Sequence, residues 1–168
     1  MKGEKFTESD IQKIQEEIDH RILVVRPQCL EAVKEARAQG DLSENFEYYA
    51  AKKEKNHNES RIRYLQRLLR DAVVISEESA EDEVGLNNRV VLYFEEDDEE
   101  ETYKIVTSIR GNSLKNYVSV ESPLGKAILG HKVGEIVEVK INDSVSYPVE
   151  IRSIDKTPDE EEDEIRSF

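Results

Sequence analysis

Gly40-Asp41-Leu42-Ser43-Glu44-Asn45 separates two long stretches of helical periodicity, and its shortness decides how they are arranged. Upstream, over residues 7–39, Ile11, Ile14, Ile18, Ile22, Val25, Cys29, Val33 and Ala36 recur every three or four residues. That spacing lays a single apolar stripe along one helix face, the pattern of a coiled-coil seam. Thr7 with Asp10 three residues later resembles a capping box. Pro27 predicts a kink or local break, and Gly40, free to take positive φ, predicts the stop. Downstream, over residues 42–74, Phe46, Tyr49, Ala50, Ile62, Leu65, Leu69 and Ala72 supply a matching stripe, with Leu68 beside it. The polar run Asn56-His57-Asn58-Glu59-Ser60 predicts a weak seam in the middle. At 1.5 Å per residue, arms of some 30 residues are about 45 Å long. A connection as tight as Gly40-Asp41 makes them antiparallel. The sequence thus predicts a thin helical hairpin with two carboxylates, Asp41 and Glu44, at its tip.

From Arg89 the hydrophobic period changes to two. Residues 89–94, 102–108, 117–120, 136–141 and 146–154 read as strands rich in Val, Ile and Tyr. Between them, Ser122 is placed to cap a short helix, with Pro123 at its first position and Gly130 as its stop. The acidic run 95–101 reads as a solvated hairpin loop. The fold class is therefore α+β. An antiparallel coiled coil over 1–75, with its tip at 40–45, is followed by a linker at 76–88 and a small α+β domain at 89–157. An acidic tail at 158–168 is expected to be disordered.

Charge follows the same division. Residues 1–75 hold 14 basic and 14 acidic side chains, so the whole net charge of −14 falls on residues 76–168. Two modules with different electrostatic tasks are implied. A pI near 4.7 argues against general nucleic-acid binding but leaves room for a local basic face. Hydrophobic and charged residues each make up 37% of the 168 residues, which describes a chain with a modest core and much solvated surface. No apolar run is long enough to span a bilayer, and residues 1–10 carry no apolar signal core, so a cytoplasmic protein is expected. The single cysteine, Cys29, excludes an internal disulfide framework.

Two readings of the tip acids stand on spacing alone. Asp followed three residues later by Glu suits a helix start, where negative charge is favourable. Alternatively, the two acids point outward and share a hard cation such as Mg²⁺, which prefers six oxygen ligands. Two carboxylates alone bind it weakly, so a metal site here is a half-site that a partner completes. The second arm is basic: Lys52, Lys53, Lys55, Arg61, Arg63, Arg67 and Arg70 against Glu54 and Glu59. These side chains either pair with the Glu-rich first arm or contact phosphates, with Arg37, Lys52 and Lys53 nearest the tip. Tyr48 and Tyr49 are read as packing residues rather than base-stacking ones. His20, His57 and His131 show no ligand spacing.

The run Glu35-Ala36-Arg37-Ala38-Gln39-Gly40-Asp41-Leu42-Ser43-Glu44-Asn45-Phe46-Glu47-Tyr48-Tyr49-Ala50-Ala51-Lys52 closely resembles the tip signature of the bacterial Gre transcript-cleavage factors, GreA type. Ser122-Pro123-Leu124-Gly125-Lys126-Ala127-Ile128-Leu129-Gly130-His131-Lys132-Val133-Gly134 resembles the second signature of that family. The resemblance covers residues 6–154. It implies an N-terminal coiled coil and a C-terminal domain of FKBP-like fold, a fold that does not itself imply prolyl isomerase activity. It further implies that the coiled coil enters the secondary channel of bacterial RNA polymerase while the acidic domain stays at the rim. The protein would stimulate the polymerase's own cleavage of backtracked RNA, rescuing arrested complexes, without being an enzyme itself. Asp41 and Glu44 match the tip acids that help hold a second Mg²⁺ jointly with the polymerase and position the attacking water, with none bound alone. Ser43 is expected to support them. Arg37 and Lys52 match basic positions facing the RNA 3′ end, and Lys53 lies beside them. A monomer with no membrane contact is expected.

The spacer 76–88, the loop 110–116 and the tail after Thr157 depart from the family pattern. Two other readings stay open: a Gfh-type paralogue that occupies the channel without promoting cleavage, and a structural coiled-coil adaptor whose tip acids only cap a helix. The intact Asp41-Leu42-Ser43-Glu44-Asn45 argues against the former.

Overall fold

A computed structural model describes residues 3–40, 45–110, 115–158 and 164–167. The chain forms two compact units. One is built on Ser9–Ala72, the other on Lys5–Glu8 together with Val73–Ser167. Among the described residues no helix is long and apolar enough to cross a membrane.

The helical unit is a hairpin. Its first arm comprises α1 (Glu8–His20), a π-helical turn (Arg21–Val25) and α2 (Arg26–Ala38); its second arm is α3 (Phe46–Asp71). The local break expected at Pro27 takes the form of that π turn. In an α-helix the Pro27 ring presses on the Leu23 carbonyl and removes its N–H partner. Here the turn ahead is wider, with the Arg26 N–H donating to Arg21 O five residues back, and His20, Val25 and Arg26 keep right-handed helical dihedrals.

Ile14, Ile18, Val33 and Ala36 of the first arm are buried, as are Tyr48, Ile62 and Leu65 of the second. The second stripe differs from the sequence reading near the tip. Phe46 and Tyr49 are 85% and 51% exposed, and Tyr48 with Ala51 packs on Val33 and Ala36 instead. Counting back from Leu65 in steps of three and four leads through Ile62, Asn58, Lys55 and Ala51 to Tyr48. Choosing the most apolar residues rather than keeping the phase put the stripe on the wrong face.

The middle of the seam is also not weak. Arg61, only 2% exposed, donates Nε and Nη2 to the Glu17 carboxylate at 2.8 and 3.2 Å. Arg21 Nε reaches the same carboxylate at 2.8 Å, and Arg21 Nη1 donates to Asn58 Oδ1 at 3.0 Å. Asn58 Nδ2 donates to Arg21 O at 3.3 Å, the carbonyl that opens the π turn. Arg26 holds Glu59 with two bonds of 2.8 and 2.9 Å. Burial pushes the Glu17 carboxyl up, but the hydrogen bonds and charges of Arg61 and Arg21 outweigh it and hold it below its ordinary value.

The second unit is a five-stranded sheet ordered β5-β4-β3-β7-β6, with α4 (Pro123–Ile128) packed against β6. Its strands are β3 (Arg89–Phe94), β4 (Glu99–Val106), β5 (Tyr117–Ser119), β6 (Ile136–Lys140) and β7 (Ser146–Asp155). The β4–β5 pair is parallel and the other pairs are antiparallel. Val90, Leu92, Ile105, Val139, Val149 and Ile151 form the core with Ile128 of α4. Alternation along the strands produces that one-faced burial. Ser122 caps α4 as the sequence predicts, accepting from the Gly125 N–H at 3.1 Å. Gly125 is required by space: a Cβ there would lie 2.0 Å from Ser119 O.

Several boundaries differ from the sequence reading. β4 begins at Glu99, so the acidic hairpin loop is only residues 95–98, turned by Asp98 at φ 50°. The stretch read as a linker contributes Val84 and Leu86 to the sheet core, and Glu83 bridges to Lys132; its acidity hid two alternating apolar residues. At the other end, β1 (Lys5–Phe6) pairs in parallel with β2 (Val73–Val74), so both ends of the helical hairpin belong to the sheet unit. The Arg166 N–H donates to Ile109 O at 2.6 Å, so the tail carries at least one fixed contact.

Candidate functional site at the hairpin tip

The two arms are closed by residues on either side of the tip. α2 ends at Ala38, Gln39 is its C-cap, and Gly40 takes φ 133°, a left-handed value that glycine adopts without a Cβ penalty. α3 begins at Phe46, and its N-cap is Asn45. The Asn45 Oδ1 accepts the Tyr48 N–H at 3.0 Å, satisfying one of the helix's unpaired donors. The Asn45 Nδ2 donates to Ala36 O on α2 at 2.6 Å. One side chain therefore starts the second arm and ties it to the end of the first.

This changes the balance at the tip. The sequence reading gave the capping position to Asp41, with α3 starting near Leu42; the cap is Asn45, four residues later. Asp41, Ser43 and Glu44 lie outside the described residues. Asn belongs to the residue types that favour N-caps, and the signal was present in the sequence, but Asp41 matched the same pattern first.

The basic residues near the tip are placed. Arg37, Lys52 and Lys53 are all exposed. Arg37 Nη2 donates to the Tyr48 hydroxyl at 3.4 Å, and its guanidinium carbon lies 5.4 Å from the centre of the Tyr48 ring. The hydrogen bond from Arg37, against a smaller opposing effect of burial and with help from the charges of Arg37, Lys52 and Lys55, holds the Tyr48 phenol below its ordinary value. Lys52 lies one turn after Tyr48; Lys53 lies one turn after Tyr49 and two after Phe46. Tyr48 packs as expected, whereas Tyr49 meets it edge-on at 5.5 Å between ring centres and stays half open to solvent.

Chemically, the tip offers two carboxylates of the hard-oxygen type that Mg²⁺ takes. They are too few for a full coordination set. Among the described residues no group of three or more His, Cys, Asp or Glu could hold a metal ion.

The comparisons with known proteins cover both units. A family profile described as transcription elongation factor, N-terminal, matches residues 4–74, and one described as transcription elongation factor, GreA/GreB, C-term, matches residues 78–156. Transcription elongation factor GreA of Mesoplasma florum is 37% identical over 89% of this chain and 96% of its own length. The protein of the same name from Thermoanaerobacter pseudethanolicus is 43% identical over 81% of this chain and 87% of its own. A crystal structure of GreA factor homolog 1 (Gfh1) of Thermus thermophilus aligns over 91% of this chain and 99% of that one, at 25% identity and a TM-score of 0.44.

Proposed function

Because the chain belongs to the GreA/GreB family of transcription elongation factors, we propose that it acts by placing the hairpin tip in the active centre of bacterial RNA polymerase and stimulating cleavage of backtracked RNA there. The observation that supports this most is the division of labour at the tip. Asn45 performs the helix-starting role that would otherwise account for Asp41 and Glu44. The acids are then left available for another role, and a half-set of metal ligands is what their chemistry offers. An arm of about 45 Å gives the tip the reach for a deep site.

In this reading Asp41 and Glu44 would hold Mg²⁺ jointly with polymerase carboxylates and orient the attacking water. Bound there, the ion would lower the pKa of that water and stabilise charge on the oxygens of the displacement. Ser43 would add a hydrogen bond to water or substrate, and Arg37, Lys52 and Lys53 would neutralise phosphates of the displaced RNA 3′ end. The chain supplies positioning and charge, the nuclease remains the polymerase's own, and the setting is the cytoplasm.

The test is a cleavage assay on backtracked complexes. Asp41→Ala with Glu44→Ala is expected to lower stimulated cleavage by at least about 100-fold, as for a group acting directly on the reacting atoms, while polymerase binding by mobility shift persists. Wild-type cleavage by the double variant would sink the assignment. Binding without any stimulation by the unaltered chain would instead make it a channel-occupying member of the family.

A further inference from the structure

Phe46 and Tyr49 are 85% and 51% exposed, and they lie three residues apart on the first turn of α3. Residues at that spacing are neighbours on one helix face. Continuing the face adds Ala50 and Lys53, both exposed. Phe46 is the most exposed large apolar side chain among the described residues, and no fold-stabilising burial offsets its contact with water. Tyr49 is braced from behind: its ring meets Tyr48 at an interplanar angle of 63°, and Tyr48 is itself held by Arg37. One ring is thus pre-oriented and the other fully open. Their surroundings select the kind of partner. The exposed neighbours include three cations, Lys53 on the same face and Arg37 and Lys52 on the Tyr48 side, along with Glu47 and Ala50. Two open aromatic rings followed on the same face by a cation suit an unpaired nucleic-acid strand, with bases on the rings and a phosphate on the cation.

We infer that Phe46 and Tyr49 form a stacking track for unpaired bases at the RNA 3′ end, with Lys53 on a flanking phosphate. This rests on the proposed function for the setting in which the RNA is met, and adds base-contacting residues to a tip whose other candidates are acids and cations. Stacking is indifferent to base identity, since every base presents a π face, which suits a factor that must accept any transcript.

The test uses the full chain carrying Asp41→Ala and Glu44→Ala, so that the RNA stays intact, added to backtracked complexes with 2-aminopurine placed in turn at each extruded position. The parent is expected to quench fluorescence at one or more positions. Adding Phe46→Leu or Tyr49→Leu is expected to remove that quenching and weaken engagement of the extruded RNA by about fivefold or more, whereas Phe46→Trp keeps it. Quenching that survives both leucine changes, or is absent from the parent, overturns the inference. So does an equal loss of binding by Phe46→Leu on complexes with no extruded RNA, which would place the ring on protein. Cleavage by the unaltered chain is read in parallel. Ring-dependent quenching without cleavage removes the proposed function and leaves the track; cleavage without ring-dependent quenching does the reverse.

Discussion

Asn45 joins two jobs that are usually separate. It caps α3 and it holds the carbonyl of Ala36 on the opposite arm. Asn45→Ala removes both bonds and is expected to lower stability by about 1–2 kcal/mol, measured by urea unfolding of the full chain. Asn45→Asp keeps the cap but loses the donor to Ala36, and should fall between the two. An alanine variant within about 0.3 kcal/mol of wild type would show that the tip does not depend on this residue. Its neighbour Phe46 makes the contrasting case. A side chain that looks like a core residue is held outside by the phase of the helix, so it adds no buried area to the fold.

The π turn and the polar network beside it are one device at the scale of the element. Arg21 contributes its guanidinium to Glu17 and Asn58 and its carbonyl to Asn58, so the irregular turn is stitched to α3 where apolar packing lapses. A buried charge network of this kind fixes register, because sliding one arm by a turn strands Arg61 from Glu17. Arg61→Ala is expected to cost about 2–3 kcal/mol, below the figure for fully buried pairs because the Glu17 side chain retains 22% exposure. The pH dependence has a definite sign. Glu17 is held below its ordinary value in the fold, so its contribution is complete above the ordinary carboxylate range and is lost as pH falls through the lowered one. The stability gap between wild type and Glu17→Gln should be constant near neutrality and shrink in acid; a gap that widens in acid would contradict the assignment. The sequence made the two arms and all five sheet strands legible, because each has a clear period of 3.6 or 2. The network was not legible, since polar residues at seam positions look like a gap until the partner arm supplies opposite charges. The tip acids stayed ambiguous for a related reason: Asp41 and Asn45 are both residue types that start helices, and only the hydrogen bonds of Asn45 decide between them.

At the scale of the molecule, each unit has its own buried apolar residues, among them Ile14, Ile18, Ile62 and Leu65 in the hairpin and the Leu92, Ile105 and Ile151 cluster in the sheet. Ile151→Ala is expected to cost about 2–5 kcal/mol, read as faster hydrogen exchange across β3 and β7 with little change in α3. Leu65→Ala should give the opposite pattern; uniform acceleration in both units from either change would show that they unfold as one. The uneven charge follows the same partition, with a neutral hairpin and the net −14 on the remainder. The pairing of β1 with β2 has a further consequence. The chain leaves the sheet unit after Glu8 and rejoins it at Val73, so the hairpin is an insertion whose two ends are clasped together, and its length is a ruler independent of everything else. Adding seven residues to each arm would keep the seam in phase and advance the tip by about 10 Å, whereas adding one or two would rotate it away from its target. Evolution, or an engineer, can therefore recalibrate this protein's reach only in steps that keep the apolar stripe in phase, such as whole heptads.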